Sequence, residues 1–213
     1  MKKLILATTL ISLSLPALQG CVPAVATGVG AGALMIVDRR PGETYLADEA
    51  IEICALNRIN EKFGDKVHVN VTSYNMKVLL TGEVPDAGIK DDLEKSVAGV
   101  TNVKGVTNEV QIAGISSFSA RSNDTYITSK VKARFIDANK FQANHVKVVT
   151  EAGTVFLLGL VTRKEADDAA EIARTTADVK KVVRVFEYVQ IREAQQLDSR
   201  PPEDTKASPA AGK

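Results

Sequence analysis

The residues able to carry chemistry are few, and most of them come in duplicate. His68 and His145 are the only histidines, 77 positions apart. Each precedes an alternating apolar run, so they would form a metal pair only if two strand entries met edge to edge. Two imidazoles with no cysteine or carboxylate partner make a poor site, and duplication of a strand-entry residue accounts for them better. Asp91-Asp92 and Asp167-Asp168 are likewise spaced by about one repeat. Paired carboxylates could serve as general acid and base, but neighbours on a helix point about 100° apart, and a solvated helix face is the simpler reading. The glycine-rich run Gly28 to Gly32 neither follows a strand nor opens a βαβ unit, which a phosphate-binding loop requires. Cys54 lies near Ile51, Ala55 and Ile59 with no base to generate a thiolate; a buried free thiol in a helix core is expected. No serine, cysteine or lysine comes with both a base and an orienting group. The expectation is a protein that is not an enzyme, with no catalytic residue, no metal and no cofactor.

Cys21 is different, because its context is complete. Lys2 and Lys3 precede an apolar run from Leu4 to Leu15, long enough for a secretory leader and too short to span a bilayer. The leader closes on "LQGC", Leu18 to Cys21, with small Gly20 before the cysteine. This pattern resembles a bacterial lipobox, whose cysteine is acylated and becomes the first residue of the mature chain. More than one acyl chain gives stable anchoring. Val22 and Pro23 follow where an aspartate would signal inner-membrane retention, so the resemblance implies the outer membrane, facing the periplasm.

The stretch "SNDTYITSKVKARF", residues 122–135, reads as an amphipathic helix with Asp124 placed to cap its first turn. Ile127, Val131 and Phe135 form its buried stripe. Tyr126 lies about 140° from the centre of that stripe and shares the outer face with Ser129, Ala133 and Ile136. Lys130 and Lys132 flank this face, with Arg121, Arg134 and Lys140 nearby. An aromatic ring and an aliphatic side chain among cations suit the headgroup boundary of an anionic bilayer, where each basic residue is worth about 1 kcal/mol. Over the whole chain 27 basic and 26 acidic residues leave a net charge of +1. No global field attracts nucleic acid, so any charge-driven binding is local.

The elements that position these residues repeat. Residues 67–84, "VHVNVTSYNMKVLLTGEV", are echoed by residues 144–161, "NHVKVVTEAGTVFLLGLV", each an alternating run, a short turn and an apolar run containing a glycine. That is a β-hairpin signature. The second turn carries Gly153, whereas the first relies on Asn75 to tolerate a left-handed backbone. Helical patterns over 48–63 and 124–141 precede the hairpins, and a second helix follows each. Ile89, Leu93 and Val97 share one face of the first of these, and a Thr162/Glu165 capping box opens the other. Each copy closes on an alternating strand, residues 103–112 and 179–191. The order helix-strand-strand-helix-strand makes an α+β unit, a three-stranded mixed sheet covered by two helices. Units of about 70 residues have small cores, so the copies are expected to pack on each other or to rely on neighbours.

Two tandem units of this order, each with an acidic residue opening its first helix and a "GV..V.N.V"-like closing strand, resemble BON domains. Leader, lipobox, Gly/Ala-rich tether and two units together resemble the dual-BON outer-membrane lipoproteins. The resulting division is a leader at 1–20, a tether at 21–44, BON domain 1 at 45–113, a linker at 114–121, BON domain 2 at 122–192 and a disordered tail at 193–213. The resemblance implies anionic phospholipid binding (phosphatidylglycerol, cardiolipin) on the first helix of the second domain, around the aromatic residue of an "NDT-aromatic-I" motif. Tyr126 matches that aromatic, with Ser129, Lys130, Val131, Lys132 and Ile136 around it. The family usually has tryptophan there, which implies weaker insertion for tyrosine. It also implies proximity to the outer-membrane protein assembly machinery, the basis of an alternative reading as a protein-interaction scaffold.

Overall fold

A computed structural model describes residues 39–200. The leader, Cys21, the Gly28 to Gly32 run and the chain beyond residue 200 lie outside the described residues. The first unit consists of α1 (Gly42–Phe63), β1 (His68–Tyr74), β2 (Lys77–Val84), α2 (Ala87–Ala98) and the short strands β3 (Gly105–Asn108) and β4 (Gln111–Ile112). The second consists of α3 (Phe118–Ala138), β5 (Lys147–Glu151), β6 (Thr154–Val161), α4 (Arg163–Arg174) and β7 (Lys181–Tyr188), and a further helix, α5 (Ile191–Asp198), follows. In each unit the hairpin strands pair antiparallel and the closing strand runs parallel to the second hairpin strand, which makes that strand the centre of a mixed sheet. The closing strand of the first unit is interrupted: β3 and β4 both pair with β2, and between them Val110 turns into the core.

Helix spacing explains the two cores. Ile51, Ala55, Ile59 and Phe63 recur along one face of α1 and pack with Leu93 and Val97 of α2 on Val71, Val78, Leu80 and Val84. Ile127, Val131 and Phe135 of α3 do the same with the alanines of α4 over Val148, Val155, Leu157 and Val161. The repeated glycines serve close approach. A Cβ on Gly82 would stand 2.0 Å from the His68 carbonyl oxygen, and one on Gly159 2.4 Å from that of His145.

The units pack on each other. Tyr74 and Leu79 of the first join Phe156, Leu158 and Leu160 of the second in a third apolar cluster, on the sheet face away from the helices. Polar contacts border it: Asn75 Nδ2 and Lys77 Nζ donate to the Glu187 carboxylate at 2.9 and 2.8 Å, and Lys147 Nζ donates to Glu52 Oε1 at 3.0 Å.

Several expectations are corrected. Asp124 does not cap a helix: α3 starts four residues before Ser122, its cap is Ser117, and the stretch assigned to the linker supplies its first turn. Cys54 is exposed, not buried. It precedes the buried Ala55 but sits about 110° from the centre of the α1 stripe, so nearness in sequence is not nearness to the core. The assigned tail is not wholly disordered, because α5 forms over 191–198 with a Gln190/Glu193 capping box and buries Ala194.

Candidate membrane-binding face

Both hairpin turns are held by a buried aspartate from the preceding helix. Asn75 and Met76 both have positive φ (53° and 64°), as do Ala152 and Gly153 (51° and 78°), the geometry of tight two-residue hairpin turns. Asp48 accepts from the amides of Asn75 (2.8 Å) and Met76 (2.7 Å) and from Ser73 Oγ (2.6 Å). Asp124 accepts from the amides of Ala152 (2.9 Å) and Gly153 (2.8 Å). This contact fixes the rotation of α3 on its sheet, and with it the face that α3 turns outward.

That face is open. Tyr126 is 61% exposed, Ile136 66% and Phe118 79%. Ser129 and Lys132 are exposed beside them, and among the described residues neither domain covers them. Phe118 and Ile136 are 18 residues apart, so they share an angular position five turns and about 27 Å apart, with Tyr126 between. Phe118 falls in the stretch expected to be linker, and the signal that a helix begins there is the Ser117 cap one residue before it.

The cations around this face divide. Lys132 is exposed and has no ion pair among the described residues. Lys130 stacks over the Tyr126 ring, its Nζ 4.7 Å from the centroid, and also pairs with Asp178. Arg134 donates to the Ile172 carbonyl and Thr176 Oγ1, both at 2.9 Å, Lys140 pairs with Asp168 at 3.3 Å, and Arg121 donates to the Ser116 carbonyl. The basic flank is therefore smaller than expected, with Lys132 its charge free of an ion pair among the described residues and Lys130 a support for the ring. Val131 is a correction: it is fully buried in the second core and cannot touch a bilayer.

The duplicated chemistry-bearing residues separate. His68 Nδ1 lies 3.0 Å from Glu83 Oε2, its cross-strand neighbour. His145 is buried elsewhere, with Nε2 3.5 Å from Asp198 and Nδ1 3.9 Å from Glu165, the latter an electrostatic contact rather than a hydrogen bond. The two histidines are not a pair. Asp167 pairs with Arg184 and Asp168 with Lys164 and Lys140, all surface partners on one side at least.

A buried arginine from the stretch expected to be tether completes the second domain. Arg39 donates from Nη1 and Nη2 to Glu165 (both 2.8 Å), from Nε and Nη2 to Asp198 (2.7 and 3.0 Å), and from Nη1 to the Leu160 carbonyl (2.8 Å). Burial pushes the Glu165 carboxyl up, but His145, Arg39 and the Thr162 amide together hold it well below the usual carboxylate range.

The BON domain family matches residues 57–114 and 123–190, one span on each unit. The chain belongs to the BON-domain family. The two BON domains also align as a pair with a relative, "Outer membrane lipoprotein DolP" of Haemophilus influenzae, 39% identical over 174 residues, 81% of this chain and 90% of that one. A second relative, "21 kDa hemolysin" of Actinobacillus pleuropneumoniae, is 33% identical over 156 residues, covering 72% and 80% of the two chains. "Osmotically-inducible protein Y" of Escherichia coli is 30% identical over 117 residues, 54% of this chain and 58% of that one. A solved structure of CdsD, a structural protein of the type III secretion system of Chlamydia trachomatis, covers 70% of this chain at 14% identity and a TM-score of 0.28, too low a likeness to bear on fold or function. With the DolP similarity the chain is a DolP-like dual-BON outer-membrane lipoprotein. Among the described residues no helix is long and apolar enough to cross a membrane, as lipid anchoring requires of none.

Proposed function

We propose that this lipoprotein is not an enzyme and that its second BON domain binds anionic phospholipid through the outer face of α3, supporting outer-membrane integrity. The observation that carries the reading is the uncovered row of Phe118, Tyr126 and Ile136 beside Lys132. Three exposed apolar side chains on one side of a rigid helix exceed what a solvated face needs. With Tyr126 carrying Lys130 against its ring, the arrangement matches an aromatic seated at headgroup level with basic neighbours on the phosphates. Cys21, acylated, would keep the periplasmic domains beside the bilayer, and both phosphatidylglycerol and cardiolipin offer the required charge.

The test is sedimentation of the purified protein with phosphatidylglycerol or cardiolipin vesicles against phosphatidylcholine vesicles. Binding should prefer the anionic vesicles and weaken with salt, and Tyr126→Ala combined with Lys132→Glu should reduce it by at least tenfold. Binding equal to the parent refutes the site. A photoreactive residue at position 126 distinguishes the alternative, a protein contact with the outer-membrane assembly machinery: lipid adducts support the proposal, and a discrete protein adduct in their place overturns it.

A further inference from the structure

The junction between the domains holds a second group of interest. His68 at the start of β1 and Glu83 near the end of β2 face each other across the ladder, and Glu151 reaches them from the end of β5 in the other domain. One donor atom from each lies within 4.8 Å of the others. Glu83 is 5% exposed and Glu151 4%, so two carboxylates share a space nearly closed to water. Asn70 Nδ2 donates to Glu151 Oε2 at 2.9 Å, and the only ion-pair partner that the described residues give either carboxylate is the His68 ring. Asp124, from α3, adds a further negative field at Glu151. Burial, first, and the charge on Glu83 push the Glu151 carboxyl above its usual range, against the pull of Asn70 and His68. At the rim the Ser116 amide donates to Glu83 Oε2 at 3.3 Å, while the Ser116 hydroxyl oxygen is buried and has no hydrogen-bond partner among the described residues.

Two buried carboxylates beside one imidazole are short of positive charge, and a cation would supply it. We propose that His68, Glu83 and Glu151 form a divalent-metal site bridging the two BON domains, with Zn²⁺ the ion its donor set fits. Zinc takes nitrogen at about 2.0–2.1 Å and carboxylate oxygen at about 2.0–2.2 Å, so tetrahedral donors stand roughly 3.3 Å apart. The His68 to Glu83 separation is already 3.0 Å, and rotamer adjustment of Glu151 closes the rest. The donors sit on strand ends rather than on a free loop, and Glu151 adjoins the turn held by Asp124, so the site is supported from both domains. The partly exposed His68 ring leaves an entry path. Three protein ligands leave a fourth position for water, on a site whose Glu83 carboxylate already accepts from the Ser116 amide. Binding requires a neutral imidazole and two carboxylates, so protons are released as the metal enters and affinity falls with falling pH.

The experiment is titration of the chelator-treated, purified full-length protein with Zn²⁺ alone, by calorimetry and by thermal unfolding. One Zn²⁺ per chain and a raised unfolding temperature are expected. Glu151→Gln and His68→Gln should each weaken binding by at least tenfold, while His145→Gln should leave it unchanged. Glu151→Gln removes a buried charge, so lost binding with unchanged or raised metal-free stability separates a ligand from a structural residue. Co²⁺ in place of Zn²⁺ should give visible absorption that His68→Gln abolishes. Absence of stoichiometric binding, or binding that survives Glu151→Gln and His68→Gln, overturns the proposal.

Discussion

Replacing Asp124 with alanine removes one carboxylate and strands two backbone donors. The Ala152 and Gly153 amides each give their hydrogen bond to it, at 2.9 and 2.8 Å, and Asp124 is buried. A buried donor left unsatisfied costs about 1–3 kcal/mol, and a bond to a charged acceptor is worth about 1.5–3 kcal/mol. The Ala152 amide is partly reachable by water, so the sum for Asp124→Ala is roughly 3–4 kcal/mol, a large share of the 5–15 kcal/mol that holds a typical domain together. For a chain of this size about 2–4 °C of melting temperature goes with each kcal/mol, and a fall of roughly 6–16 °C is expected. Urea unfolding gives the energy, and amide hydrogen exchange gives the location: Ala152 and Gly153 should lose protection first. Asp48→Ala should cost more, because Asp48 also accepts from Ser73 Oγ and pairs with Arg40 at 2.7 Å. A loss below about 1 kcal/mol for Asp124→Ala, or unchanged protection of those two amides, would refute the assignment of this carboxylate as the anchor of the turn.

Further outcomes follow from the same geometry. Cys54 should react with a maleimide or an aromatic disulfide reagent in the folded protein without denaturant, as one thiol per lipidated chain. Gly82→Ala should destabilise by about 3 kcal/mol or more in urea unfolding, since the new methyl meets the His68 carbonyl at 2.0 Å and the backbone there has φ of 111°. With metal chelated, Glu151→Gln should stabilise the protein at neutral pH. The folded-state value of Glu151 lies above its ordinary one, so the native chain binds more protons between the two and parental stability falls as pH rises through that window; the variant should lack the slope. Glu165 behaves oppositely: its lowered value gives stability that is full above the ordinary carboxylate range and is lost as pH falls through the folded value, and Arg39→Met should flatten that acid limb in pH-dependent melting.

Periodicity made the architecture legible. Alternation in residues 67–84 and 144–161 and the i, i+4 stripes of Ile51 and Ile127 are one-dimensional patterns that survive folding unchanged; the hairpins lie where they point, and α1 and α3 contain the stripes but start earlier than they suggest. What the sequence concealed are contacts between distant positions. Asp124 looks like a cap because acidic residues commonly start helices, but its partners are 28 and 29 residues away. Arg39 sits in a stretch that reads as tether, and its carboxylates are 126 and 159 residues distant. The exposed face of α3 was legible at Tyr126 and Ile136, where helical projection suffices. Val131 was included among the contact residues by resemblance, although its own place in the Ile127, Val131, Phe135 stripe marks it as core. The meeting of His68 and Glu83 with Glu151 had no sequence signal, because it arises only when two separately legible hairpins dock.

The Arg39 contact sets the geometry of the anchor. The tether enters the fold at the junction of the two domains: Arg39 is clamped between α4 and α5 of the second, and Arg40 next to it pairs with Asp48 of the first. From Arg39 back to Cys21 is 18 residues, which span at most about 60–65 Å whatever path they take. The domain carrying the Tyr126 face is thus held directly by that short leash. If Cys21 carries the acyl chains and α3 meets lipid as proposed, that contact is an intramolecular event at an effective concentration set by the leash, and a face with one aromatic ring and one lysine unpaired among the described residues need not bind tightly from solution to stay occupied.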